Sequence, residues 1–343
     1  MLAIEMFFIP LFLTILFVLI IYPCARKYGF IDHPCSRKRH ESPTPPIGGL
    51  AIYLGALSTF WMTNGMGSLN IPFISAITLL VLVGAIDDHR GLSVKVRLTA
   101  QIVAALIMTE FADVKINCLG NILGSGVIHL EQFSTFFTVF AVVGGINAFN
   151  MIDGIDGLSS SSALFAIIMV AILGIAFNNV EVLNLSLIFL GAILGFLAFN
   201  LRVFGRKKAL IFLGDSGSTL LGFTVCWLLI YSSSEQVEII SPSLVLWVIA
   251  MPLFDSICIM IRRVAKGRSP FSPDREHLHH ILPMNGFSVN ETLIIILSVT
   301  VLFASLAITS SLFFGVADHI LFMTFLLCFS LFYWVMHNHM SAE

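Results

Sequence analysis

The chain has 343 residues, 57% hydrophobic and only 11% charged, with a mean hydropathy of +0.96. A soluble domain carries about 25% charged residues, so a water-soluble globular enzyme is excluded, as are a disordered chain and a fibrous repeat. A net charge of -2 leaves no basic excess for nucleic acid.

A membrane-crossing helix needs roughly 20 mostly apolar residues. About eleven such stretches follow one another, over 3–22, 46–65, 70–86, 96–112, 133–149, 158–177, 183–201, 212–231, 243–261, 291–312 and 318–336. Strand-like alternation over ten-residue segments is missing, which argues against a β-barrel. The sequence therefore predicts an all-α polytopic membrane protein, with one integral membrane domain over 1–343. The first stretch has Glu5 where a signal peptide would be basic, and no small-residue cleavage site follows it, so it reads as a retained span. Six scattered cysteines form no C-x-x-C pair and read as apolar residues.

Orientation follows from the basic residues, which accumulate on the cytoplasmic side. Every lysine and arginine except Lys115 falls after the first, third, seventh or ninth stretch. This asymmetry predicts a periplasmic N-terminus and a cytoplasmic C-terminus. It also places the polar segments 23–45, 87–97, 150–157, 202–218 and 262–290 together on the cytoplasmic side.

Acids gather at the helix ends of that same side, where an ionised aspartate at bilayer depth is costly and functional by default. Asp87 and Asp88 close one apolar run, although negative charge at a helix C-terminus opposes the macrodipole. Asn147, Asn150, Asp153 and Asp156 form the densest polar cluster, more than an ordinary Asn-Asp-Gly turn requires. Gly214-Asp215-Ser216 opens the eighth stretch, where free amides suit a phosphate and Asp215 suits its metal; a plain N-cap is the simpler alternative. Separate acid sites on one face repel one another unless a divalent cation joins them. Hard oxygen donors favour Mg²⁺ or Mn²⁺ over zinc. Arg275, His277, His279 and His280 sit in the longest basic segment and read as an anion clamp; a zinc site there lacks a second ligand cluster. Arg37-Lys38-Arg39-His40 serves topology or steers anionic lipid phosphates. Neither a P-loop nor a G-x-G-x-x-G occurs.

Four ordered segments, AIDDHRGLSVKVR, NAFNMIDGIDGL, FLGDSGSTLLGF and SPFSPDREHLHHIL, resemble the polyprenyl-phosphate N-acetylhexosamine-1-phosphate transferases. The resemblance spans roughly 37–286 and is strongest to the bacterial branch acting on UDP-N-acetylglucosamine and undecaprenyl phosphate. It implies a magnesium-dependent transfer of sugar 1-phosphate with release of UMP, at the cytoplasmic face of the bacterial inner membrane. The lipid product would start O-antigen or enterobacterial common antigen synthesis. Carried over by motif, Asp87 and Asp88 are the essential acid pair and share the metal with Asp215. Asn147, Asn150, Asp153 and Asp156 serve the nucleotide and metal site. Arg275, His277, His279 and His280 contact pyrophosphate or sugar. Leu278 interrupts the three consecutive histidines of the muramyl-pentapeptide branch, which favours a small sugar. Another UDP-N-acetylhexosamine, the muramyl-pentapeptide donor, and a homodimeric state stay open, and a secondary transporter is the alternative from another class.

Overall fold

The computed structural model describes residues 2–32, 43–63, 69–203, 205–270, 272 and 276–341. Among these residues thirteen α-helices follow in chain order: α1 (Leu2–Tyr28), α2 (Gly48–Thr63), α3 (Asn70–Arg90), α4 (Val94–Phe111), α5 (Ser134–Met151), α6 (Leu158–Ala176), α7 (Val180–Asn200), α8 (Gly214–Ser233), α9 (Pro242–Val248), α10 (Ala250–Ala265), α11 (Leu278–Met284), α12 (Val289–Phe314) and α13 (Asp318–Ser341). Among the described residues the only strand-like pairings are two isolated bridges, Asp32 with Thr44 and Cys118 with His129. The protein is an all-helical polytopic membrane protein, the architecture that satisfies every backbone polar group within lipid.

Each of the eleven predicted stretches holds a helix. Among the described residues eight helices (α1, α3, α5, α6, α7, α8, α12 and α13) are individually long and apolar enough to cross a bilayer. The helix α2 has only 16 residues. The helix α4 carries Lys95, Arg97 and Glu110 within 18 residues. The predicted span 243–261 is not one straight helix, because α9 and α10 meet at 81°. Pro252 explains the break: it has no N–H to give the Val248 carbonyl, and its ring crowds that carbonyl. Regular bonding resumes with the Leu253 amide donating to the Ile249 carbonyl at 3.1 Å.

At the centre stands α8, buried nearly throughout its length and packed against α3, α5, α2 and α6. Small residues let these helices close on it, as is usual where lipid removes the hydrophobic driving force between helices. A Cβ on Gly84 of α3 would fall 2.4 Å from Ser216 Cα, and one on Gly49 of α2 would fall 2.2 Å from the Gly217 nitrogen. Farther along α8, Trp227 meets Phe73 of α3 edge-on at 5.1 Å between ring centroids. On the other flank, Phe254 of α10 packs against Phe303 of α12 and against Phe325, Phe329 and Phe332 of α13. That cluster fixes the bent pair beside the core.

Candidate active site

The two aspartates of the first motif lie in the last turn of α3, inside the helix rather than beyond it. Gly91, at φ 68°, ends α3 by donating its amide to the Asp87 carbonyl. Ser93 then caps α4 by accepting from the Val96 amide. This tight reversal brings Arg97 of α4 back beside α3. Its Nη1 donates to Asp87 Oδ2 at 3.1 Å and lies 4.0 Å from Asp215 Oδ2.

Asp88 points the other way. Its Oδ1 accepts from the Asp215 amide at 2.7 Å, and its Oδ2 accepts from the Ser216 amide at 3.2 Å and the Ser216 hydroxyl at 3.0 Å. A carboxylate from α3 thus caps the positive end of α8. The sequence offered these amides to a phosphate; the structure gives them to Asp88. Gly214 makes this possible, since its φ is +77° and a Cβ there would stand 2.6 Å from Asp88 Oδ2.

From α5, Asn150 Nδ2 donates to Asp215 Oδ1 at 2.6 Å and to Ser218 Oγ at 2.9 Å. One turn earlier, Asn147 Nδ2 donates to Gln101 Oε1 of α4 at 2.7 Å. These groups border a cavity of about 370 Å³, within the range of small-ligand pockets. Its lining combines the polar Asp87, Arg97, Gln101, Asn147, Asn150, Asp215, Thr219 and Arg263 with the apolar Leu80, Val83, Val94, Leu98 and Met151.

The two remaining acids differ. Asp156 Oδ2 accepts from Arg202 Nε at 2.6 Å, with only 9% of its side chain exposed. This ion pair ties the turn after α5 to the segment leaving α7. Asp153 belongs to the same turn. Desolvation, and then the charges of Asp215, Asp88 and Asp156, push its carboxyl well above the usual carboxylate range.

The histidines are brought near this turn but do not line the cavity. His277 is buried, with Nδ1 2.6 Å from Asp255 Oδ2, and the Leu278 amide donates to Asp255 Oδ1 at 2.9 Å. His279 is buried against the turn, where a Cβ on Gly154 would fall 1.9 Å from its Nε2. The His280 ring lies 4.3 Å from that of His279. Next to them, Glu276 accepts from Arg262 Nε at 3.0 Å and from Lys266 Nζ at 2.6 Å. Against the upward pull of desolvation, these cations hold the Glu276 carboxyl below its ordinary range. Arg275 and the basic run at 37–40 lie outside the described residues.

Four site residues escaped the reading of the sequence. Arg97 and Arg263 registered only as markers of orientation. Gln101 and Asp255 each sit within an apolar stretch, and that isolation was the available signal.

The arrangement can gather an anion between arginines and carboxylate-bound cations beside apolar side chains. Comparisons with known proteins agree with such a chemistry. The profile of glycosyl transferase family 4 matches residues 70–233, the length from the start of α3 to the end of α8. An undecaprenyl-phosphate alpha-N-acetylglucosaminyl 1-phosphate transferase of Escherichia coli (strain K12) is 36% identical over 323 residues, covering 93% of this chain and 87% of the relative. The protein of the same name from Salmonella typhimurium (strain LT2) is 37% identical over 332 residues, covering 96% and 89%. That from Yersinia pestis is 34% identical over 334 residues, again covering 96% and 89%. The chain belongs to glycosyl transferase family 4.

Proposed function

We propose that the protein transfers N-acetylglucosamine 1-phosphate from UDP-N-acetylglucosamine to undecaprenyl phosphate, giving undecaprenyl-diphosphate-N-acetylglucosamine and UMP. The observation carrying this reading is the cavity whose lining joins the polar Asp87, Asp215, Arg97, Asn150 and Arg263 to apolar side chains of α3 and α4. A charged donor and a polyprenyl acceptor need both kinds of lining. The relatives' names supply undecaprenyl phosphate and the N-acetylglucosaminyl 1-phosphate group, and the motif resemblance supplies UDP as its carrier.

In the reaction, an oxygen of the lipid phosphate bonds to the sugar-bearing phosphorus. The bond from that phosphorus to the bridging oxygen breaks, and UMP leaves with the electron pair. Phosphoryl transfer depends on positioning and charge neutralisation more than on covalent chemistry. Arg97 and Arg263 bring cationic donors to the cavity, and the Asn147 and Asn150 amides fix its polar edge. Asp87 and Asp215 turn carboxylate oxygens toward one space, a donor set that fits Mg²⁺ or Mn²⁺. Such an ion, when bound, neutralises charge on the pyrophosphate. Asp88, the third acid of the set, also holds Asp215 in place, because both its oxygens accept from the start of α8.

The same reading has eleven spans, a periplasmic N-terminus, and an active site facing the cytoplasm at the bacterial inner membrane. The segregation of basic residues supports this orientation. The apolar membrane-spanning helices suit a lipid acceptor.

The experiment is isotopic. With UDP-N-acetylglucosamine labelled on the β-phosphate, the label moves to the undecaprenyl lipid, and UMP drives the reaction backwards. Label recovered in released UDP would instead show attack at the sugar carbon and overturn the assigned reaction.

A further inference from the structure

We infer that Asp255, inside α10, is a positioning residue that fixes the tautomer of His277 and through it the pose of Arg263 at the cavity. The inference rests on the reaction proposed above and adds a residue to its machinery.

Hydrogen-bond polarity carries the argument. Arg263 Nη2 lies 3.4 Å from His277 Nε2. A guanidinium only donates, so in this contact Nε2 is the acceptor and His277 carries its proton on Nδ1. Asp255 Oδ2, 2.6 Å from Nδ1, accepts that proton. The other oxygen, Oδ1, accepts from the Leu278 amide at 2.9 Å, which anchors the start of α11 to the same carboxylate. The bonds therefore all point inward, from Arg263 to His277 to Asp255 and from Leu278 to Asp255. An acceptor-only carboxylate satisfies both donors. Arg263 also donates to the Pro270 carbonyl, and it lines the cavity with Asp87 and Asp215.

The burial of the pair makes the tautomer consequential. Asp255 is 3% exposed and His277 is 5% exposed, so water cannot replace a lost partner. An aspartate that holds a histidine in one tautomer contributes strongly in hydrolases, where the isosteric amide presents the wrong proton. The same logic applies to Asp255→Asn. One amide oxygen cannot accept from both His277 and Leu278. Turning the amide N–H₂ toward Nδ1 moves the ring proton to Nε2, where it faces the Arg263 donor.

A metal site is the competing reading, since ligand atoms of Asp255, His277 and His279 lie within 4.8 Å of one another. Two ligands of a tetrahedral zinc, each roughly 2.0–2.1 Å from the ion, stand about 3.3 Å apart. The 2.6 Å separation of Nδ1 and Oδ2 is that of a hydrogen bond.

The test uses full-length protein in detergent, labelled with ¹⁵N-histidine, with the His277 signals identified by their loss in His277→Gln. Wild-type His277 is expected as the Nδ1–H tautomer and the Asp255→Asn variant as Nε2–H. In the UMP-release assay, Asp255→Asn should lower kcat about 100-fold while KM for UDP-N-acetylglucosamine moves about threefold or less, and Asp255→Glu should recover about tenfold. The double variant Asp255→Asn/His277→Gln should fall no further than His277→Gln, because Asp255 acts through the ring. A wild-type ring protonated on Nε2 would overturn the inference even if no variant folds. So would an unchanged tautomer in Asp255→Asn, additive losses in the double variant, or a stoichiometric transition metal lost from Asp255→Asn. Wild-type protein that releases no UMP would sink the proposed reaction instead and leave the tautomer to be judged by its spectrum.

Discussion

Asp87 and Asp215, from α3 and α8, face the same guanidinium: Arg97 Nη1 stands 3.1 Å from one carboxylate and 4.0 Å from the other. Two acids that meet over one cation leave a net negative site, and that is where a divalent ion is expected. Asp87→Asn and Asp215→Asn should each lower turnover at least about 100-fold, as for other lost electrostatic contacts to a developing charge. Chelation should abolish wild-type activity, with Mg²⁺ or Mn²⁺ restoring it. UMP release, normalised to detergent-soluble yield, checks both; full activity in chelator would refute the metal.

Asp88→Asn should differ from these two by costing stability as well as rate. The neutral amide accepts from only one of the two α8 amides and removes the charge that opposes the helix dipole. A lost cap costs about 1 kcal/mol, enough to lower the melting temperature in detergent by about 2 °C in a protein of this size. An Asp88→Asn protein that melts like wild type would show that the cap contributes nothing.

For Asp153 the sign of the pH effect can be worked out. A carboxyl whose folded pKa is raised stabilises the fold fully below its unfolded value, near 3.9. That contribution is lost as pH rises through the higher folded value. Asp153→Asn cannot ionise and keeps the contribution at every pH. In chelator, its melting temperature should equal wild type at pH 4 and exceed it at pH 8. Equal melting at both pH values would argue against the raised pKa.

Orientation is testable by reporter fusions. Those after Gln132 and Ser234 should report the periplasm, and those after Lys208 and Ser269 the cytoplasm. Any exchange between these pairs would separate the acid motifs onto opposite faces and dissolve the shared site.

How much of this was legible in the sequence depended on how local each signal is. Apolar runs reveal helices because each run is contiguous, and the four acid, asparagine and histidine motifs stand out because their chemistry is written in adjacent positions. Pairings between distant positions were not legible. The α8 amides looked free because their acceptor, Asp88, lies 127 residues earlier, and the ion pair of Asp156 went unseen because Arg202 lies 46 residues later. Asp255 went unread because its partner, His277, lies 22 residues later. Pro252 was visible, but hydropathy averages over a window and does not register one missing N–H, so 243–261 read as a straight span.

The α3–α8 joint also imposes an order on biosynthesis. When α3 enters the bilayer, the helix end that will neutralise Asp88 has not yet been translated, and four further long helices (α4 to α7) emerge first. Through that interval a carboxylate must wait at the membrane face, where water can still reach it. Its position in the last turn of α3, rather than mid-helix, makes the wait tolerable. Insertion of α8 then brings glycine-lined backbone and unbonded amides to it in one movement. The joint between Asp88 and α8 therefore closes late, and a nascent chain halted after α7 carries the acids of α3 without the helix that disciplines them.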